Sequence, residues 1–191
     1  MKNIILYPGG FKPPHIGHLT LANKFADNCD ELIIFIGSKP REEISQDMSY
    51  NIWTILPVKK NIKIIKSVKN TPYIDLYDYV FSLNEPTKVT LAYSSKEDDN
   101  LCGKFINSVN KCKITPTKDG KLINENVIPD KILFDCPITY SNRTDEYNDQ
   151  PISATILRND LRNNDFENFK TNYIGLSDNI IEQIYLLLKY L

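Results

Sequence analysis

The chain has 191 residues, 41% of them apolar and 25% charged, and its formal net charge is -1 at pH 7. This composition is close to that of globular domains, so it excludes a chain that stays disordered for lack of apolar residues. The near balance of charge argues against a protein that coats nucleic acid, and no apolar run reaches the ~20 residues that cross a bilayer. We therefore expect neither nucleic acid nor a membrane as a partner.

The amino terminus and the cysteines predict the compartment. The first residues, MKNIILYPGG, contain an apolar run that is too short for a secretory signal peptide. The four cysteines are Cys29, Cys102, Cys112 and Cys136, and no two of them form a C-x-x-C pair. The sequence therefore gives no support for a zinc site or a thiol redox site. We expect a cytoplasmic protein with reduced cysteines and no set of metal-ligating residues.

Hydrophobic patterning over the first half of the chain predicts strands and helices in regular alternation. Apolar runs predict strands at 3–7 (ended by Pro8), 31–36, 62–68 and 88–93. Helical spacing of apolar residues predicts helices at 16–28, 46–56, 74–83 and 98–109. This order predicts a parallel sheet with right-handed crossovers, an α/β sandwich.

The second half of the chain is less regular. Within residues 110–150 we expect one strand, at 131–136. Two helices are predicted at 153–164 and 178–190, and Asp165 is a good N-cap for a short helix between them. We expect this helical part to pack back on the sheet, so that residues 1–191 form a single domain.

Both histidines of the chain lie at the turn between the first strand and the first helix. The pair Gly9-Gly10 permits positive φ and a close approach of the backbone to a ligand. The N-terminus of the helix suits a phosphate group, and the i, i+3 spacing of His15 and His18 directs both imidazoles to one point. Gly17 keeps the surface between them open. We interpret this turn as a phosphate site where imidazoles stabilise developing charge.

A second motif, PISATILR at residues 151–158, lies at a predicted loop-to-helix junction. Ser153 or Thr155 can cap the helix, and Arg158 follows one turn after Thr155 on the same side. The segment by itself is equally typical of a capped helix with an exposed arginine. Together with the histidine turn, it indicates a second anion site.

The two motifs, HxGH and ISxTxxR, resemble those of the nucleotidyltransferase superfamily, which includes cytidylyltransferases and the NMN and phosphopantetheine adenylyltransferases. The opening GGFKPPHxGH is most similar to nucleotidyltransferases of phages and large viruses. The resemblance implies a Rossmann-like fold with helices on both faces of the sheet. It also implies transfer of AMP or CMP from ATP or CTP to a small phosphorylated acceptor, with release of pyrophosphate and assistance from Mg2+.

The resemblance also implies roles for individual residues. His15 and His18 stabilise the transition state at the α- and β-phosphates, and the ISxTxxR residues hold the β- and γ-phosphates. Many family members have Asp or Asn in place of Lys12, so this lysine either contacts phosphate or substrate directly or is an exposed residue. We assign catalysis to His15, His18, Arg158 and Lys12, and nucleotide binding to Gly9, Gly10, Phe11, Gly17, Ser153 and Thr155.

Further candidates for substrate binding follow the second and fourth strands and lie on the second helix. They are Lys39, Arg41, Trp53, Ser95, Lys96 and Asp98. Each has a simpler interpretation: a solvated loop for the two cations, core packing for the tryptophan, and a capped helix N-terminus for the last three.

Other functions fit less well. HIGH is also a signature of class I aminoacyl-tRNA synthetases, but those enzymes need a lysine-rich second loop and a longer chain. A non-catalytic nucleotide-binding module of the same fold stays open as an alternative. We favour ATP over CTP because ISxTxxR resembles the adenylyltransferase form, whereas residues 143–145 lack the glycine of a cytidylyltransferase RTxG element. The acceptor is open, and a homodimer is consistent with this fold.

Overall fold

The computed structural model describes residues 1–94, 132–134, 138–140 and 152–189. Strands and helices alternate along the first of these ranges, and helices occupy the last. In chain order they are β1 (Lys2–Gly9), α1 (Ile16–Ala26), β2 (Glu31–Ile36), α2 (Gln46–Ile55), β3 (Ile62–Lys66), α3 (Pro72–Ser82), β4 (Thr87–Ser94), β5 (Ile132–Phe134), β6 (Ile138–Tyr140), α4 (Ala154–Arg162), α5 (Phe166–Thr171) and α6 (Asp178–Lys189).

The strands form one six-stranded sheet in the order β3-β2-β1-β4-β5, and β6 also pairs with β4. Every described pairing is parallel. The chain runs outward from β1 through β2 to β3 and then returns to the other side of β1 with β4, so the order of strands reverses between β1 and β4. Ligands of open α/β sheets bind outside the carboxyl ends of the strands at such a point.

The alternation of side chains along β1 divides the core into two clusters. Ile4 and Leu6 lie in the cluster that contains residues of α3. Ile5 and Tyr7, which point the other way, lie in the cluster that contains residues of α1 and α2. Helices therefore cover both faces of the sheet, as the sequence predicts.

The C-terminal helices pack on one of these two faces. Phe169, Tyr173 and Ile184 are fully buried in the same cluster as Phe25 of α1 and Trp53 of α2. The prediction that the helical part packs back on the sheet is confirmed. None of the helices in the described ranges is long and apolar enough to cross a membrane.

The predicted elements that fall on described residues are present, with shifted ends. The helix α3 begins at Pro72, two residues earlier than predicted, because Thr71 caps it and proline suits the first helical position. The prediction that the first strand ends at Pro8 is wrong: β1 continues to Gly9. Its pairing with β4 ends at Leu6, so Pro8 pairs on the β2 side alone, where a strand tolerates proline better.

Two short strands, β5 and β6, lie in the second half of the chain. The strand β5 lies within the strand predicted at 131–136. The three residues of β6 were not predicted, because so short an apolar run carries no periodic signal. The predicted helix at 98–109 lies outside the described residues.

Candidate functional site

The loop between β1 and α1 is held by side chains from three other parts of the chain. Its carbonyl oxygens accept hydrogen bonds as follows: Phe11 O from Ser49 Oγ at 2.6 Å, Lys12 O from Arg158 Nη1 at 2.7 Å, and Pro14 O from Tyr173 Oη at 2.6 Å. All three donor side chains are buried. The donors come from α2, from α4 and from the segment that follows α5, so the loop is fixed by the packing of the whole helical layer.

The side chain of Lys12 is buried and joins the ends of two strands. Its Nζ donates to Gly10 O and to Gly37 O, each at 2.9 Å, and Gly37 N in turn donates to Gly9 O at 2.8 Å. No carboxylate from the described part of the chain pairs with this ammonium group. Burial lowers the pKa of Lys12 to about 8. The interpretation of Lys12 as an exposed residue is therefore wrong.

The two histidines lie against each other at the start of α1. Their ring centroids are 3.7 Å apart and the planes are inclined by 26°. His15 is the N-cap residue, and its backbone N–H donates to His18 Nδ1 at 3.2 Å. Because Nδ1 accepts, the neutral ring of His18 carries its proton on Nε2, which is then a hydrogen-bond donor. The predicted convergence of the imidazoles is present in the structure.

Two of the three glycines at this turn are required by the packing of a neighbouring ring. A Cβ at Gly9 would lie 2.5 Å from the ring of Phe11, and one at Gly17 would lie 3.2 Å from the ring of His15, so both glycines make room for an aromatic ring. Nothing would obstruct a side chain at Gly10. The positive φ that the sequence assigns to the glycine pair falls instead on Phe11, at 50°.

Phe11 and Trp53 belong to the packing beneath the site. The ring of Phe11 is buried, with its centroid 5.0 Å from that of His18 and 5.4 Å from that of Trp53, in edge-to-face geometry. Trp53 is 0% exposed. The interpretation of Trp53 as a core residue is confirmed, and its candidacy for substrate binding is wrong, because no face of the ring reaches the surface. Phe11 supports His18 with its ring, which leaves only its backbone to face a ligand.

The start of α4 is tied to the histidine loop through Arg158. Ser153 caps the helix by accepting from Ile156 N at 3.3 Å, and Thr155 Oγ1 accepts from Arg158 Nη2 at 3.2 Å. Arg158 is only 3% exposed, which contradicts the interpretation of an exposed arginine. Its bond to Lys12 O brings the two sequence motifs together, although 146 residues separate them.

A carboxylate that the sequence analysis did not single out completes the environment of Arg158. Glu42 Oε2 lies 2.9 Å from Arg158 Nε and also pairs with Arg162. The hydrogen bond from Arg158 holds the pKa of Glu42 below its usual value. No local pattern marks Glu42, because its partner lies more than a hundred residues away.

The backbone around Glu42 forms a two-residue turn. Arg41 N donates to Ile44 O and Ile44 N to Arg41 O, both at 3.1 Å. Between them, φ is 49° at Glu42 and 69° at Glu43. The left-handed region costs a residue with a Cβ about 1–2 kcal/mol, so this turn is strained at two successive positions.

The other candidates are exposed on the segment between β2 and α2 or lie beyond the described residues. Lys39 and Arg41 are exposed on the segment that follows β2. Ser95, Lys96 and Asp98 lie outside the described residues. Within the ranges that the structure describes, no group of three or more His, Cys, Asp or Glu side chains is arranged to hold a metal ion.

The sequence was compared with protein families and with individual relatives. A model of the cytidylyltransferase-like family matches residues 6–160. The chain belongs to this family. A phosphopantetheine adenylyltransferase of Aquifex aeolicus is 42% identical over 42 residues, which make up 22% of this chain and 26% of that protein. A nicotinamide-nucleotide adenylyltransferase of Methanosarcina barkeri is 33% identical over 72 residues, 33% of this chain and 42% of that protein. The chain thus spans less than half the length of either relative.

Matches to solved structures cover nearly the whole chain. Nicotinic acid mononucleotide adenylyltransferase of Plasmodium falciparum, complexed with NaAD, has a TM-score of 0.58 and 19% identity, and the match covers 98% of each chain. A bifunctional NMN adenylyltransferase/ADP ribose pyrophosphatase from Francisella tularensis, complexed with AMP and a manganese ion, has a TM-score of 0.51 and 16% identity, covering 100% of this chain and 52% of that one. These structures confirm the predicted Rossmann-like fold.

The anchoring of the loop predicts a loss of stability when one donor is removed. Tyr173→Phe leaves Pro14 O buried without its partner, so the free energy of unfolding should fall by about 1–2 kcal/mol in urea denaturation. As a control, Tyr50→Phe at a half-buried tyrosine should change it by less than about 0.5 kcal/mol. Equal stability of Tyr173→Phe and the unmodified chain would show that this bond contributes nothing.

The burial of Lys12 predicts a pH dependence of stability. The unfolded chain has the ordinary lysine pKa of 10.5, and the folded chain has a pKa of about 8. Between these values the unfolded state binds more protons, so stability rises with pH. Relative to Lys12→Met, the unmodified chain should gain about 1 kcal/mol between pH 7 and pH 9. Lys60→Met, at an exposed lysine, should show no such difference, and a flat difference for Lys12→Met would contradict the assignment.

Proposed function

We propose that this chain transfers AMP from ATP to a small phosphorylated acceptor and releases pyrophosphate. The observation that carries the proposal is the meeting of four groups at the β1–α1 turn: the stacked pair of His15 and His18, and the buried cations of Lys12 and Arg158. The cluster lies where the order of strands reverses, which is the expected ligand position in such a sheet. Family membership and the names of the relatives, all adenylyltransferases, support the same reaction.

The balance of charge at the turn favours a polyanionic substrate. A buried cation is costly unless a charge or hydrogen bonds compensate it. Lys12 is compensated only by two neutral carbonyl groups among the described residues, so its positive charge is not cancelled. The N-terminus of α1 adds a partial positive charge. A triphosphate supplies the negative charge that this arrangement lacks.

The reaction is an in-line displacement at phosphorus. An oxygen of the acceptor phosphate attacks the α-phosphorus of ATP, the bond from the α-phosphorus to the bridging oxygen breaks, and pyrophosphate leaves with that oxygen. The Nε2–H group of His18 donates a hydrogen bond to an oxygen on which negative charge develops, and the ring of His15 stacks against that of His18 and limits its orientation. No covalent intermediate with the protein is needed, because the contribution of the chain is positioning and charge stabilisation.

Apart from Glu42, the charged or polar side chains at this site are cationic or neutral, and no group of three or more His, Cys, Asp or Glu side chains in the described part of the chain could hold a metal ion. We propose that Mg2+ arrives as part of the nucleotide substrate, coordinated by phosphate oxygens, as is usual for this ion. The neighbour from Francisella tularensis contains AMP together with a manganese ion, which is consistent with a divalent cation that accompanies the nucleotide.

The identity of the nucleotide is the first point to test. The free energy of unfolding should rise by about 2.7 kcal/mol when ATP with Mg2+ is present at ~100 times its dissociation constant, and by much less with CTP, GTP or UTP. Incubation with ATP and each of NMN, nicotinic acid mononucleotide and phosphopantetheine should then release pyrophosphate with one acceptor. Binding of ATP without pyrophosphate release from any acceptor would favour the non-catalytic module instead.

The role of His18 predicts a separation of catalysis from folding. His18→Ala should lower kcat by ~100-fold or more, because a donor to the developing charge is lost. The same change also removes the acceptor for His15 N–H, which affects the helix cap. His18→Gln is the matched control, since glutamine at this position can accept from the N-cap backbone but lacks an imidazole. It should restore stability and leave kcat low; near-normal turnover in either variant would contradict the assigned role.

A further inference from the structure

Glu42 occupies the position of an anion between two arginines of α4. Its Oε2 contacts the guanidinium groups of both Arg158 and Arg162. The two arginines are four residues apart, so they project from one side of the helix and reach the same oxygen. Arginines hold the oxygens of a phosphate group in the same way.

A cleft opens beside this ion pair, with a volume of about 620 Å³. Binding sites for small molecules are commonly 300–1,000 Å³. The charged residues of its lining are Arg158, Arg162 and Lys189 together with Glu42 and Glu43. If the carboxylate of Glu42 withdrew, three cations would face a single carboxylate, and the cleft would attract a polyanion.

The turn that carries Glu42 is one that can be released. Hairpin turns with two successive positive φ values favour Asn-Gly or Asp-Gly, whereas this turn has Glu42 and Glu43. The backbone therefore opposes the conformation that puts the carboxylate on Arg158. The side chain of Glu42 is also 41% exposed, so it can leave for water without crossing the core.

We propose that Glu42 takes the place of the β- and γ-phosphates of the nucleotide and is displaced when they bind. Glu42 then acts as a specificity-determining residue: the β- and γ-phosphates of a nucleoside triphosphate replace the carboxylate on Arg158 and Arg162, whereas a nucleoside monophosphate bound in the same position lacks those phosphates. The inference rests on the proposed function, in which Arg158 is one of the cations that meet the triphosphate. It adds that the affinity for the nucleotide depends on the difference between two binding free energies: that of the phosphates on the two arginines and that of the Glu42 carboxylate on the same arginines.

The competition is tested by removing the carboxylate and measuring dissociation constants by calorimetry for ATP, inorganic tripolyphosphate and AMP. Glu42→Gln keeps the size of the side chain, and Glu42→Asn suits the positive φ of the turn, so at least one of them is expected to fold normally. Glu43→Gln is the matched control, because it removes the same charge from the neighbouring position of the same turn. The inhibition constant of pyrophosphate is measured alongside, since pyrophosphate occupies the same arginines.

In both Glu42 variants the dissociation constants of ATP and tripolyphosphate should fall by roughly three- to tenfold, as should the inhibition constant of pyrophosphate. The dissociation constant of AMP should stay within about twofold, and Glu43→Gln should change none of these values by more than that. Unchanged or weaker ATP binding overturns the inference. So does an equal gain for AMP, or an equal gain in Glu43→Gln, which would indicate a general effect of charge.

The two proposals fail in different ways. If the unmodified chain transfers AMP but the Glu42 variants bind ATP no more tightly, the role of Glu42 is wrong and the proposed function stands. If neither the unmodified chain nor the variants bind ATP or tripolyphosphate, both are wrong.

Discussion

The position of the loop between β1 and α1 depends on where its carbonyl oxygens find donors. Three of them accept from side chains that lie in the helical layer, on Ser49, Arg158 and Tyr173. Burial of these donors would be unfavourable without partners, and the same holds for the carbonyls, so each contact satisfies two groups at once. The loop cannot shift without disturbing packing on α2 and α4. The arrangement of the imidazoles is thus a consequence of the core and not of the loop sequence alone.

Two buried cations, Lys12 of this loop and Arg158 of α4, are compensated by different groups. Lys12 donates to carbonyl groups, which are dipoles and stabilise the ammonium without cancelling its charge. Arg158 is paired with the carboxylate of Glu42, which does cancel charge but comes from a strained and half-exposed turn. No described carboxylate therefore cancels the charge of Lys12, whereas the charge of Arg158 is paired with a carboxylate on a strained turn.

The spacing of apolar residues was enough to predict the parallel sheet with helices on both faces, because strand and helix periods and the rules of strand crossover are local properties of the sequence. The HxGH motif was enough to predict that His15 and His18 meet, because they are three residues apart on one helix. Core packing of Trp53 was one of two interpretations, and what packs over α2 decides between them. Two features were not predictable. The burial of Lys12 depends on Gly37, which follows another strand, β2. The partner of Arg158 depends on a turn with no sequence signal, since its residues are ones that such turns disfavour.

The burial of Lys12 lowers the stability of the fold, so the presence of a lysine at this position is not explained by folding alone. A shift of its pKa from 10.5 to about 8 corresponds to about 3 kcal/mol by which burial disfavours the charged lysine at neutral pH. That is a large fraction of the stability of an ordinary domain, and an apolar side chain of similar length would avoid it. Residues that lower the stability of the fold, and whose charge no neighbouring charge balances, are typical of functional sites. Under the proposed function, an anion that binds beside Lys12 would recover part of this free energy.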